Sequence, residues 1–260
     1  MKTQMLCAAL LLVALLSFPA AEAAGTTQKP KYGPMASRLP EDNKYVRMNP
    51  APDYWAMNSY YTAQQWGGAC SLASLTMVVN GARVHDKLDS ETELVTQAKL
   101  LEKVKAPLSS GKTWAQAVGA EPSFGKGVSL DELGPLTRLA LEAYGVKVQS
   151  VEIVHVDKLD GATTAKIHAA LVENEKSDRD FIIANFNQQV YTGDSEVGHI
   201  APVGAYDSAK KRVLIFDPDR EWYEPYWVSE ETFAKGMATK DSAGKNFRGF
   251  VWVKLSRNPQ

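Results

Sequence analysis

Cysteine is almost absent: the 260 residues contain two, Cys7 and Cys70. That scarcity excludes a disulfide framework and a thiolate-rich metal site. Charge of one sign is lacking too. Lys and Arg number 29 against 30 Asp and Glu, a net charge of −1, so no basic excess points to nucleic acid. After the first twenty or so positions no run is apolar enough to span a bilayer. No internal repeat is apparent. Histidines number four, which keeps the search for a general base short.

What is present begins with Lys2, an apolar run from Met5 to Phe18, a break at Pro19 and the small-x-small triplet Ala21-Glu22-Ala23. This is the pattern of a signal peptide, too short for a comfortable membrane span; an uncleaved anchor is the alternative. The pattern predicts a signal peptide over 1–23, an extended arm rich in Pro, Lys, Asn and Gly over 24–52, and one domain over 53–260. It also predicts a secreted protein, in a bacterial periplasm, with no stable membrane insertion after cleavage. Removal of the signal leaves Cys70 as the sole cysteine. An unpaired thiol in an oxidising compartment is a liability, and either a buried, inert position or a chemical role has to account for it.

The neighbours of Cys70 favour the chemical role. Gly67-Gly68 breaks the chain before it, and Leu72, Leu75, Val78 and Val79 recur at helical spacing, which predicts a helix from Cys70 to about Asn80. A cysteine leading a helix gains from free N–H groups and the positive dipole end, both of which favour thiolate. Gln64, six residues upstream, is a candidate amide donor to an oxyanion formed there. Further helices are expected over Glu91–Val104, from Ser129 (a capping box with Glu132) and over Thr163–Asn174. Strands follow at Val146–Val156, Phe181–Phe186, His199–Tyr206, Arg212–Phe216 and Gly249–Leu255, with Ser229 capping a short helix. The order of helices first and antiparallel strands second predicts an α+β fold.

Among the histidines, His85 lies in a charged stretch, His155 in a strand and His168 on a helix. His199 differs, because it follows Gly198 at the start of a strand and can point into a cleft. The hairpin that follows brings Asp217 beside it. Asp219 is the competitor, but Pro218 interrupts the strand before it. Cys70, His199 and Asp217 are thus the candidate nucleophile, base and orienter.

Gln64-Gln65-Trp66-Gly67-Gly68-Ala69-Cys70-Ser71-Leu72-Ala73-Ser74 resembles the nucleophile segment of the phytochelatin synthases. Gly198-His199-Ile200-Ala201-Pro202-Val203-Gly204 resembles their histidine segment. Asp217, Arg220, Tyr223, Pro225 and Trp227-Val228 are similar to their aspartate segment, and Asp241, Gly244, Lys245 and Arg248-Gly249-Phe250 to the close of their catalytic domain. The resemblance implies a papain-like fold, with a helical lobe preceding a sheet lobe. It also implies an enzyme that releases glycine from glutathione through a γ-glutamylcysteinyl thioester and passes the acyl group to water or to a second glutathione. Cys70 is then nucleophile, His199 base and acid, Asp217 orienter and Gln64 oxyanion donor. Asp241 and Arg248 fall where the family holds the γ-glutamyl head, and Arg220 is either a further substrate contact or a structural ion-pair member. No bound cofactor or protein-held metal is implied; a cadmium or zinc thiolate of glutathione is a possible substrate form. Glutathione is the expected partner, nucleic acid is not, and the oligomeric state, homodimer included, stays open.

The Asp217-Pro218 pair departs from the family, and no cysteine follows Cys70, so mainly hydrolytic turnover is expected. Asp217-Pro218 fits better the bacteriocin-processing cysteine peptidases, which makes a secreted papain-type peptidase the alternative. A non-catalytic binding protein that keeps a dead thiol-enzyme fold is the third reading.

Overall fold

The computed structural model describes residues 31–86, 94–105, 107–120 and 123–256. The expected signal peptide, the first residues of the arm and the start of the helix expected at Glu91 lie outside the described residues. From the N-terminus the chain forms β1 (Ala36–Arg38), α1 (Lys44–Met48), α2 (Pro52–Asn58) and α3 (Cys70–Ala82). Then come α4 (Gln97–Lys103), α5 (Trp114–Val118), the small ribbon β2 (Gly119–Ala120) and β3 (Ser123–Phe124), and α6 (Leu130–Glu142). The second half contains β4 (Val148–His155), α7 (Gly161–Asn174), β5 (Asp180–Asn187), α8 (Gln188–Thr192), β6 (Gly198–Asp207), β7 (Arg212–Ile215), β8 (Tyr226–Ser229), α9 (Glu230–Met237) and β9 (Gly249–Leu255).

Seven strands form one sheet in the order β1-β8-β7-β6-β5-β9-β4, and every neighbouring pair is antiparallel. Helices cover both faces, which is why β5 is buried at all its positions instead of alternating. Phe181 and Ile183 face one core together with Leu72, Leu75 and Val78 of α3 and Leu133 and Leu136 of α6. Ile182, Ala184 and Phe186 face the other, with Ile167 and Leu171 of α7 and Phe233 and Met237 of α9. The α+β expectation is met.

α3 runs through the middle of the first core, and each of its residues is buried. A helix without a polar face needs apolar neighbours all round, and α2, α4, α6 and β6 supply them. Its few polar side chains are all bonded: Thr76 to the Leu72 carbonyl, Asn80 to the Thr76 and Val95 carbonyls, and Ser71 to Trp114 Nε1. The capping box of Ser129 and Glu132 forms as expected at the head of α6.

The structure differs from the sequence reading in several places, with α8 and β8 among the elements that were not expected. The helix expected over Glu91–Val104 spans Gln97–Lys103, because the Thr96 side chain accepts from Lys99 N–H and fixes the start there. The stretch read as an extended arm is packed against the domain. β1 pairs with β8, setting Arg38 opposite Tyr226. Arg38 bonds Glu224, Asp42 pairs with Arg212, and Trp227 Nε1 donates to the Asp42 carbonyl. Those ties are long-range and leave no mark in local periodicity.

Candidate active site

Three elements deliver the site. The first is the N-terminus of α3, reached through Gly68. This glycine has φ +90° and sits so close to Gly125 that a Cβ would lie 2.7 Å from its carbonyl oxygen, so glycine alone fits the turn that aims Cys70. The second is β6, which starts at Gly198 and carries His199 as its second residue. The third is the loop after β7, which carries Asp217.

Ser74 joins the first two. Its Oγ donates to the Ile200 carbonyl at 2.9 Å. Residues four apart share a helix face, so the face of α3 that docks on Ile200 also carries Cys70 to the neighbouring His199. Cys70 lies near enough to His199 to strengthen the imidazole's hold on its proton. The third element is tied to β6 through Phe216, whose N–H donates to the Pro202 carbonyl at 3.0 Å. One residue later, Asp217 Oδ1 accepts from His199 Nε2 at 2.7 Å. Since Nε2 is committed to the carboxylate, Nδ1 is the ring nitrogen that serves the thiol.

Burial governs the electrostatics. His199 is 7% exposed and Asp217 is fully buried. Burial alone would push the imidazole down, but the Asp217 charge, its hydrogen bond and the Cys70 contact together hold His199 well above the ordinary histidine range. Burial would likewise push Asp217 up. The His199 charge, with donors from His199, the Asp219 N–H (2.9 Å) and the Tyr226 hydroxyl (2.9 Å), instead holds it below the usual carboxylate range. The pair is thus held as an imidazolium beside a carboxylate.

Asp219, the rival third member, contributes its backbone N–H and not its carboxylate to this network. Gln64 lies across from Asp217: its N–H donates to the Pro218 carbonyl at 2.7 Å. Its side-chain oxygen, the acceptor end of the amide, is buried without a partner among the described residues. Arg248 is 4% exposed, with its guanidinium on Thr239, Ser242 and the Lys240 carbonyl. Its Nε has no partner among the described residues, and a Cβ on Gly198 would lie 2.9 Å from its Nη2. A buried guanidinium with a vacant donor thus stands next to His199. Asp241 is more fully engaged: it accepts from Leu130 N–H at the head of α6, Asn185 Nδ2 and Ala243 N–H. Arg220 is exposed, donates to the Tyr223 carbonyl at 3.1 Å and lies over the Tyr61 ring. It lines a cavity of about 250 Å³ with Trp222 and Tyr223. A larger cavity of about 650 Å³, between α7 and α9, contains no member of the triad.

Sequence reasoning missed the partners of the second Asp217 oxygen. Tyr226 is fully buried and Gln188 nearly so; Gln188 Nε2 lies 3.4 Å from Oδ2. Their place depends on the register that sets Ile215 opposite Tyr226 and on where α8 falls, neither of which is written in spacing.

The remaining histidines take other partners. His85 meets Asp178 at the surface, His155 ties Phe247 to Asp131, and His168 meets Glu230. Among the described residues no group of three His, Cys, Asp or Glu side chains could hold a metal ion, and no helix is long and apolar enough to cross a membrane.

A cysteine at a helix head, a histidine on an adjoining strand and a buried aspartate behind it form a thiol triad on an α+β scaffold. The chain belongs to the phytochelatin synthase family, whose model matches residues 43–250. It is 22% identical over 207 residues to glutathione gamma-glutamylcysteinyltransferase 1 of Lotus japonicus, covering 77% of this chain and 35% of that protein. It is 24% identical over 213 residues to glutathione gamma-glutamylcysteinyltransferase 2 of Arabidopsis thaliana, covering 81% and 42%. The chain therefore spans well under half the length of these curated relatives. Among solved structures it matches xylellain, a cysteine protease from Xylella fastidiosa, at 16% identity and a TM-score of 0.40, over 76% of this chain and 83% of that one.

Proposed function

We propose that this protein is a thiol acyltransferase and hydrolase that releases glycine from glutathione, with Cys70 as nucleophile. The observation that carries the reading is the 2.7 Å His199–Asp217 bond with Cys70 beside His199, in a chain of the phytochelatin synthase family. Cys70 attacks the carbonyl of the Cys–Gly bond, and His199 passes its proton to the departing glycine amine. The γ-glutamylcysteinyl group is left as a thioester. His199, now neutral, takes a proton from water, which attacks the thioester and regenerates the thiol. Gln64 and the Cys70 N–H stabilise the oxyanion in both halves. The vacant Nε of Arg248 supports a contact to the α-carboxylate of the γ-glutamyl head. Asp241, bonded to the head of α6, fixes the loop that carries Arg248 and adds its negative charge beside the head's amine.

Hydrolysis dominates in this reading. A second thiol peptide outruns water only if the protein raises its effective concentration strongly, and the Arg220 guanidinium is already on the Tyr223 carbonyl and the Tyr61 ring. A cadmium or zinc thiolate of glutathione is a further substrate form in this reading, and the leader-like pattern over 1–23 supports export to a periplasm. The test is a product time course at high glutathione with and without cadmium. γ-Glutamylcysteine and glycine are expected early; γ-glutamylcysteine oligomers as the main early product contradict the hydrolytic preference. Cleavage of an α-linked Glu-Cys-Gly isomer as fast as glutathione favours the peptidase reading instead.

A further inference from the structure

Asp217 has two carboxylate oxygens, and the triad uses one. Oδ1 accepts from His199 Nε2 and from the Asp219 N–H. Oδ2 accepts from the Tyr226 hydroxyl at 2.9 Å. Gln188 Nε2 is also within 3.4 Å of Oδ2, but it is shared with Thr192 at 3.4 Å and Tyr226 at 3.5 Å, so Tyr226 makes the one short bond on that side. The torsion that turns a carboxylate is broad and soft. A donor on each oxygen removes that freedom.

We infer that Tyr226 is a positioning residue of the triad: its hydroxyl fixes the rotation of the Asp217 carboxylate so that Oδ1 stays in line with His199 Nε2. The inference rests on the thiol-enzyme reading above. Its geometry is over-determined. Tyr226 is fully buried, paired with Arg38 in β1 on one side and with Ile215 in β7 on the other. Its ring meets Tyr32 and Tyr223 edge-on, with centroids 5.8 and 5.9 Å apart. The hydroxyl also stays a donor: burial first, then the Asp217 charge, keeps Tyr226 well above the ordinary tyrosine range. The edge strand β1 acquires a purpose here, since it closes the sheet over the strand that carries this donor.

If Tyr226 serves packing alone, its hydroxyl is dispensable. Tyr226→Phe keeps the ring and removes the donor. The first readout is the His199 titration midpoint, followed by NMR on protein with ¹³C-labelled histidine. A loosened carboxylate holds the imidazolium less well, so the midpoint falls, by about half a unit or more. The second readout is kinetic: kcat on glutathione falls about tenfold, the size of one lost bond to a charged group, while KM stays within about twofold. Tyr191→Phe is the control. It is equally buried, but its hydroxyl is bonded to the Phe233 carbonyl, and its loss leaves the His199 midpoint in place. A raised wild-type midpoint that Tyr226→Phe leaves unmoved, or that Tyr191→Phe moves equally, overturns the positioning role alone. A wild-type His199 that titrates in the ordinary range overturns the thiol–imidazolium reading and this inference with it.

Discussion

Serine at position 70 is nearly isosteric with cysteine but far less acidic, and an imidazolium neighbour does not ionise its hydroxyl to an alkoxide. Cys70→Ser is therefore expected to abolish glutathione turnover while leaving the fold, read by circular dichroism, unchanged. His199→Ala removes the proton carrier, and kcat falls by about 10²–10⁴-fold. Asp217→Asn acts less severely, because the base remains while its orientation and the stabilisation of its charged form are lost. Asp219→Asn is expected to be nearly silent, since Asp219 reaches the network through its backbone; steady-state kinetics of the pair decide which carboxylate is the third member. Arg248→Lys keeps the charge but loses the planar donor set beside Gly198. It is expected to raise KM for glutathione at least about tenfold, a figure set by one truncated, desolvated charge contact. An unchanged KM removes Arg248 from the head site.

The elements make these side chains converge, and here a single glycine is decisive. Gly68→Ala forces a Cβ into the Gly125 carbonyl at φ +90°. The strain is roughly 1–3 kcal/mol, and a lowered melting temperature together with lowered activity is expected. The arm supplies a pH-dependent contribution. Glu175, at the end of α7, accepts from the Tyr206 N–H and from Tyr45 in α1. Burial chiefly, opposed by those two bonds and aided by Asp207, pushes it up to about 7. A raised carboxyl contributes stability that is complete below its unfolded value of about 4.3 and is lost as pH rises through about 7. Glu175→Gln removes that dependence. Urea melts at pH 5 and pH 8.5 are expected to show wild type losing on the order of 2–3 kcal/mol relative to the variant across that interval. Equal pH dependence in the two proteins contradicts the assignment.

The elements that carry the site were legible in the sequence for a physical reason. β6 and β7 are strongly patterned and joined by a short polar turn, so His199 and Asp217 could be paired from the hairpin, while the family resemblance joined Cys70, at the head of the strongly patterned α3, to them. β1, α1 and α8 were not, because they are short and held by distant partners such as Glu224, Arg212 and Asp217. Tyr226 opens β8, a strand that the sequence reading did not expect; only the register across β7 and β8 turns its hydroxyl into a partner of the triad.

At the scale of the whole molecule, a sheet covered on both faces holds a helix head and a strand end in contact at one point. The family match spans most of that molecule, residues 43–250, and the match covers 35% and 42% of the two plant relatives. The central claim is that this chain by itself makes a thioester from glutathione on Cys70. The most direct measurement is intact-protein mass spectrometry of wild type and His199→Ala quenched in acid during turnover of glutathione, with glycine release followed in parallel. The account predicts a γ-glutamylcysteinyl adduct on the Cys70 peptide of the wild type, glycine in solution, and neither with His199→Ala. Glycine release by a Cys70→Ser variant, or an inert wild type whose Cys70 never acquires the acyl group, contradicts it.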